Sequence, residues 1–236
     1  MHASVREPGQ APHGTIEHVF DVTDAAAVAA ACAAIEPLDV LVANAGIGIA
    51  APLELLPVGE LTRQLDVNVV GQVRVLQAVL PALRRSRGRV VLMGSIGGRS
   101  ALPFLAAYAM SKFALEGMAD ALRIELAPFG IEVVLIEPGS IATPIWTKPQ
   151  QALDDVPADA VALYGERIGK FRTLAAARSA NGVPADDVAR VVERALTARR
   201  PRTRYVVGPD ARRRARVQLL PDRLRDLVLS RFLFGK

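Results

Sequence analysis

Short apolar runs of strand length punctuate the chain. They read Leu38-Asp-Val-Leu-Val-Ala43, Arg89-Val-Val-Leu-Met93, Ile131-Glu-Val-Val-Leu-Ile136 and Arg204-Tyr-Val-Val-Gly208, with a shorter Thr15-Ile-Glu-His-Val-Phe20 ahead of them. Their apolar residues are continuous rather than alternating, which suits strands of a sheet covered on both faces. Segments of helical period lie between them. Asp24 or Thr23 is placed to cap an Ala-rich helix reaching about Ile35. Val69, Val73, Val75, Leu76, Val79 and Leu80 recur at helical spacing and predict a long helix over about 65–84. A further helix carries Tyr108, runs to Leu126 and stops at Pro128 and Gly130. Residues 184–196 read as a capped helix, and 212–234 as one basic amphipathic helix in the 209–236 tail. Residues 1–14 carry Pro, Gly and polar side chains and predict a loop, and 145–183 is irregular.

Composition narrows the class. A chain of 236 residues is expected to form one domain over 1–236, large enough for a substantial core. Hydrophobic residues make up 51% and mean hydropathy is +0.25, but charges interrupt the apolar stretches and none reads as a membrane span. Cys32 is the only cysteine, which excludes an intrachain disulfide and fits a reducing cytoplasmic setting. The first residues lack the apolar core of a signal peptide. The net charge of +5 is concentrated in arginines after residue 198, Arg212, Arg213, Arg214 and Arg216 among them. Such a tail suits nucleic acid, anionic lipid, a subunit contact or a solvated rim. No aromatics interleave with the arginines until Phe232, which argues against nucleic acid. Leu219, Leu220, Leu224, Val228 and Phe232 offer a face for weak peripheral membrane contact.

Candidate chemistry concentrates in Ser95–Lys112. Tyr108 and Lys112 are four apart, so a helix puts them on one face. An ammonium beside a phenol favours the phenolate, and the Tyr108 pKa is expected to fall towards working pH. A phenol so tuned exchanges a proton with a carbonyl or alcohol oxygen. Ser95, at the end of the 89–93 run, could hydrogen-bond the same oxygen. Each residue alone has a plainer reading: a surface tyrosine with a solvated neighbour, and a serine in a turn or cap. No metal-ligand set is read.

In combination and order, these residues resemble the short-chain dehydrogenase/reductase family, whose active site is a Ser, a Y-x-x-x-K pair and an upstream Asn. The resemblance runs from about Asp21 to Thr143. It implies a doubly wound α/β fold, a Rossmann-type parallel sheet, with NAD or NADP as cofactor. It assigns Asn68, in the N-x-x-G segment ending at Gly71, to a helix distortion and a proton-relay water. It assigns Asn44, Ala45 and Gly46 to the N-A-G motif beside the adenosine ribose, and Asp21 to the adenine edge. Pro138 and Gly139 line the nicotinamide, and Thr143 binds its carboxamide. Tyr108 becomes the general acid/base, Lys112 its modulator and a ribose ligand, and Ser95 a donor to the reacting oxygen.

Further implications are a small-molecule secondary alcohol or ketone as substrate, a variable substrate lid over 145–183, and a homo-dimer or tetramer through the two long helices. Leu102, Phe104 and Trp146 suggest an apolar pocket and a lipophilic substrate. The segment Gly46-Ile-Gly48-Ile-Ala-Ala51 also fits a dinucleotide fingerprint, but Pro52 follows at once and Asp66 lies in a helical pattern, so the context fails. The family's Gly-rich phosphate turn has no counterpart before Asn44. On this reading the chain is N-terminally truncated, starting just before the third strand with the first two strands missing. An upstream start is the favoured explanation. A fragment of a longer chain and direct pairing of 15–20 with 38–43 are the other two. The missing turn keeps a second functional reading open, a non-catalytic interaction protein on the same fold.

Overall fold

The computed structural model describes residues 1–33, 35–143, 145 and 158–235. Trp146 lies outside the described residues. Strands form two parallel sheets. In the first, β1 (His2–Val5) pairs with β2 (Ile16–Val19), His2 opposite Ile16 and Val5 opposite Val19. The second has the order β3-β4-β5-β6, with β3 Val40–Ala43, β4 Arg89–Met93, β5 Glu132–Pro138 and β6 Arg204–Val207. All its pairings are parallel.

The expected loop over 1–14 is therefore corrected. A strand occupies 2–5, and only the remainder connects it to β2. Glu17 holds that connection by accepting from the Gly9 and Ala11 amides at 3.0 Å each. The four residues of β1 are too few and too mixed to show a period, and their strand conformation depends on the neighbour they pair with. The expectation that the segment at 15–20 would be the first strand is corrected, since β1 precedes it, and the expected loss of two strands before it is not confirmed. Nor does 15–20 pair with 38–43; its partner is β1.

The second sheet is covered on both faces, as its continuous apolar runs require. Side chains alternate across it. Val90, Leu92, Val133 and Leu135 meet α1 (Ala25–Cys32), α3 (Gly71–Ser86) and α4 (Ala106–Leu126) through Val28, Leu76, Val79, Leu83, Ala119 and Leu126. On the other face, Val91, Val134 and Ile136 pack with α6 (Ala185–Thr197) through Val188 and Ala195. Asp24 caps α1 by accepting from the Ala26 and Ala27 amides at 3.0 Å.

The long helix expected over 65–84 is built in pieces. Helix α2 (Val58–Leu65) enters a π-helical turn, Asp66–Val70, and α3 follows. The irregular 145–183 stretch contains α5 (Ala158–Ala180). The single basic helix expected at the C-terminus is two, α7 (Pro209–Val217) and α8 (Asp222–Phe234). Pro221 separates them, because a proline holds the residue before it out of helical geometry.

Candidate active site

Ser95 leaves the end of β4 in extended conformation and caps a short 3-10 turn, Ile96–Gly98, accepting from the Gly97 amide at 3.0 Å. That turn lies flat on α4. A Cβ on Gly98 would sit 2.7 Å from the Lys112 carbonyl oxygen, so only glycine permits the approach. Ser95 thus faces the first turns of α4, where Tyr108 and Lys112 share one side of the helix. Tyr108 is 8% exposed and Lys112 6%. The Ser95 hydroxyl is hydrogen-bonded to Tyr108.

Charge behaves differently from the expectation. The Lys112 ammonium donates to the Met93 carbonyl at 2.8 Å and stands 5.7 Å from the Tyr108 ring centroid. Burial pushes the Tyr108 phenol above its ordinary value, opposed by the Ser95 hydrogen bond and by the Arg214 charge. The same burial draws Lys112 down to about 8. Desolvation penalises the charged form of both groups and is the largest cause of each shift. The Tyr108 phenol therefore keeps its proton and can donate it.

Asn68 sits in the π-helical turn, fully buried. Its Oδ1 accepts from the Ile47 amide at 2.8 Å, and its Nδ2 donates to the Ile47 carbonyl at 2.9 Å and to Ser111 Oγ at 3.0 Å. The helix distortion expected at Asn68 is present. The amide itself bridges the loop after β3 to the helix of Tyr108. Two neighbours on the same helical face join it. Gln64 donates to the Ile47 carbonyl at 2.7 Å and accepts from the Ile49 amide at 2.8 Å, while Gln72 donates to the Ala45 carbonyl at 3.1 Å. Both were missed in the sequence, although polar residues at 64, 68 and 72 follow an i, i+4, i+8 spacing in an apolar helix. The Gly46–Ala51 segment is thereby a strapped loop, and no helix opens from it.

A cleft of about 1200 Å³, counting its open mouth, joins these parts; Asn44, Gly46, Ser95, Tyr108, Lys112, Pro138, Gly139 and Thr143 all line it. Asp21 does not: its carboxylate accepts from the Thr23 amide at 2.8 Å and hydroxyl at 2.7 Å. Nor does Ala45, whose carbonyl accepts from Gln72. Leu102 lines the cleft, whereas Phe104 packs behind it, edge-on to Phe171 at 5.5 Å between ring centroids. Beyond Gly139, the Asp210 carboxylate accepts from the Ser140 amide at 2.8 Å and hydroxyl at 2.9 Å. A Cβ on Gly139 would lie 2.2 Å from that carboxylate, which explains the glycine.

Residues 2–154 match the family described as short chain dehydrogenase. This chain belongs to the short-chain dehydrogenase family. It is 40% identical to human 17-beta-hydroxysteroid dehydrogenase type 1 over 82% of this chain and 61% of that protein. It is 36% identical to an NADPH-dependent 3-dehydrocapnine reductase of Ornithobacterium rhinotracheale, over 91% of this chain and 79% of that one. The chain thus spans about three-fifths of the human relative's length. A short-chain dehydrogenase structure from Streptomyces avermitilis superposes with a TM-score of 0.78 at 27% identity, covering 97% of this chain and 85% of that one.

The cleft of this short-chain dehydrogenase fits one end of a nicotinamide nucleotide. Pro138, Gly139, Thr143, Tyr108 and Lys112 share this lining, a set suited to the nicotinamide riboside end. Only Asn44 and later residues line it among those described, so the fit concerns that end alone. Arg178 on α5 and Arg214 on α7 also line the cleft, and the sequence pattern did not single out either as a site residue. Their roughly seventy to a hundred positions of separation from Tyr108 hide them from any motif.

Proposed function

We propose that this chain transfers a hydride between NAD(P) and a secondary alcohol or ketone. The observation that carries the reading is the convergence of the Ser95 hydroxyl, the Tyr108 phenol and the Lys112 ammonium in one buried cleft. Tyr108 is the general acid/base. In the reductive direction its phenol gives a proton to the carbonyl oxygen while Ser95 donates a second hydrogen bond to the same atom. Lys112, which donates to the Met93 carbonyl, would hold the nicotinamide ribose and supply positive charge as the phenolate forms. Asn68 keeps α4 and the loop after β3 in register and anchors the proton-relay water. Asn44, Gly46, Pro138, Gly139 and Thr143 hold the nucleotide. The cofactor, when bound, supplies the hydride.

The apolar part of the lining, including Leu102 and Phe171, favours a lipophilic substrate. Of the expected substrate lid over 145–183, residues 146–157 lie outside the described residues, and α5 is the part that would cover the substrate. Met110 and Phe113 on the outer side of α4 are 40% and 46% exposed, which suits a homo-oligomer. No helix among the described residues is long and apolar enough to cross a membrane. A cytoplasmic enzyme fits this, with weak peripheral contact through α8, where Phe232 is 57% exposed. Purified protein mixed with NADPH or NADH and a panel of ketones should lose nicotinamide absorbance. No change with any ketone, and none in reverse with the alcohols, sinks the reading.

The non-catalytic alternative rests on the lack of a Gly-rich phosphate turn before Asn44. Titration with NAD(P) separates the two: saturable binding excludes an interaction protein without cofactor.

A further inference from the structure

Around the reacting groups, the cleft carries more positive charge than the proposed chemistry uses. Lys112 is assigned, but Arg178 and Arg214 enter the same cavity from α5 and α7. Arg214 is anchored: its guanidinium donates to the Ser100 carbonyl, with Nε 3.4 Å from the Ser100 hydroxyl, on the loop that follows Ser95. Arg178 has no hydrogen-bond or ion-pair partner among the described residues and rests over the Phe232 ring, 5.5 Å from its centroid. Asp210 is the carboxylate that opposes both, and it already accepts two hydrogen bonds from Ser140.

Two half-buried guanidinium groups facing one engaged carboxylate leave an unbalanced cation in a partly dry site. Such a charge is costly unless a ligand completes it. Burial, and next the Arg178 charge, pull Arg214 down to about 10. The lining beside the pair is apolar, with Leu105, Phe171, Leu174 and Ala175.

Resting on the hydride-transfer reading above, we propose that Arg178 and Arg214 form a subsite for an anionic group on the substrate, so that the substrate is an amphiphile. A carboxylate, phosphate or sulfonate would sit at the arginine pair, an alkyl or ring portion along Leu105, Phe171 and Leu174, and the reacting carbonyl at Tyr108 and Ser95. Planar guanidinium groups suit this task, since each can donate two parallel hydrogen bonds to an oxyanion. Arg178 is the mobile donor and Arg214 the fixed one. The subsite decides specificity and takes no part in the proton transfer.

The test compares a β-keto acid bearing a straight alkyl tail with its methyl ester. The wild type should prefer the acid in kcat/KM by about tenfold or more. In Arg178→Glu this ratio should fall below one, and Arg178→Lys should restore much of it. Arg214→Gln should lower it too, although the loss of the Ser100 anchor could unfold that variant, which is why Arg178 carries the test. The cofactor dissociation constant, read by NADPH fluorescence, should stay the same in Arg178→Glu. A matching loss of NADPH affinity would assign the pair to the cofactor phosphates and overturn the subsite. So would an acid-to-ester ratio unmoved by charge reversal.

Calorimetry with decanoate and with decanol needs no turnover. Binding of decanoate that is lost in Arg178→Glu supports the subsite even if no ketone is reduced. Reduction of ketones without any preference for the acid leaves the activity standing and removes the subsite.

Discussion

The two sheets share parallel pairing and differ in cover. In β4, Val90, Val91 and Leu92 are all 0% exposed. In the β1–β2 sheet, Ile16 is 57% and Val19 47% exposed. Parallel backbone pairing is common to both, so the kind of pairing does not explain which sheet organises the molecule. Burial on two faces does, and a two-stranded sheet has little of it. The chemistry follows the cover. Ser95 continues from β4, Pro138 ends β5, and Tyr108 and Lys112 project from the helix packed on those strands. The β1–β2 sheet contributes no lining residue to the cleft. It is tied to the body through Phe20 and Val22, which pack with α1 and α3.

This contrast can be broken at several points. The largest effect should come from Tyr108→Phe, which removes only the acidic hydroxyl. We expect kcat to fall roughly 10³-fold, the scale of a lost general acid, with an unchanged far-UV circular dichroism spectrum. A mild effect would mean that another group donates the proton. Leu83→Ala, at a side chain with no exposure beneath the main sheet, should cost about 3 kcal/mol in urea unfolding. A cost under about 1 kcal/mol would show a loosely packed core.

A pH dependence comes next. Glu137, fully buried on β5 directly before Pro138, donates its charge to a cluster with Arg99 at 2.7 Å and Arg204 at 3.5 Å, beside Glu116 and Asp120 of α4. Burial first, then Glu116, raises its pKa from 4.5 to about 7, against the pull of Arg99. The folded protein therefore holds a proton that the unfolded chain has released between these values. The contribution is present below 4.5 and is lost as pH rises through 7. Glu137→Gln should flatten this fall, read as urea midpoints across the window. Equal slopes in both proteins would remove Glu137 as the cause. Smallest of all, Ile16→Ala in the exposed sheet should shift stability by no more than about 0.5 kcal/mol. A loss comparable to that at Leu83 would mean that the two sheets are not as different as their cover suggests.

Much of this architecture was legible because it is local. Continuous apolar runs marked all four strands of the main sheet, the Pro128–Gly130 stop marked the end of α4, and Asp24 marked a cap. Ser95, Tyr108 and Lys112 were readable for the same reason: helix periodicity and a strand end place those side chains before any long-range packing is known, whereas Asn68 was singled out only through the family resemblance. Less was legible where neighbours decide. His2–Val5 is a strand because Ile16–Val19 lies beside it, and the terminal helix breaks at a proline whose influence the surrounding arginines and leucines masked.

Electrostatics depended most on the folded form. The i, i+4 spacing correctly put Tyr108 and Lys112 on one face, but it carries no information on whether water reaches that face. Burial raised the phenol and lowered the ammonium, and the cation whose charge acts on Tyr108 proved to be Arg214, from a helix at the far end of the chain. Sequence alone determined which groups could do chemistry and in what order they stand. Only the tertiary structure decided their solvation and their charged neighbours, because desolvation and Coulomb interactions depend on distance through space, which a one-dimensional pattern does not encode.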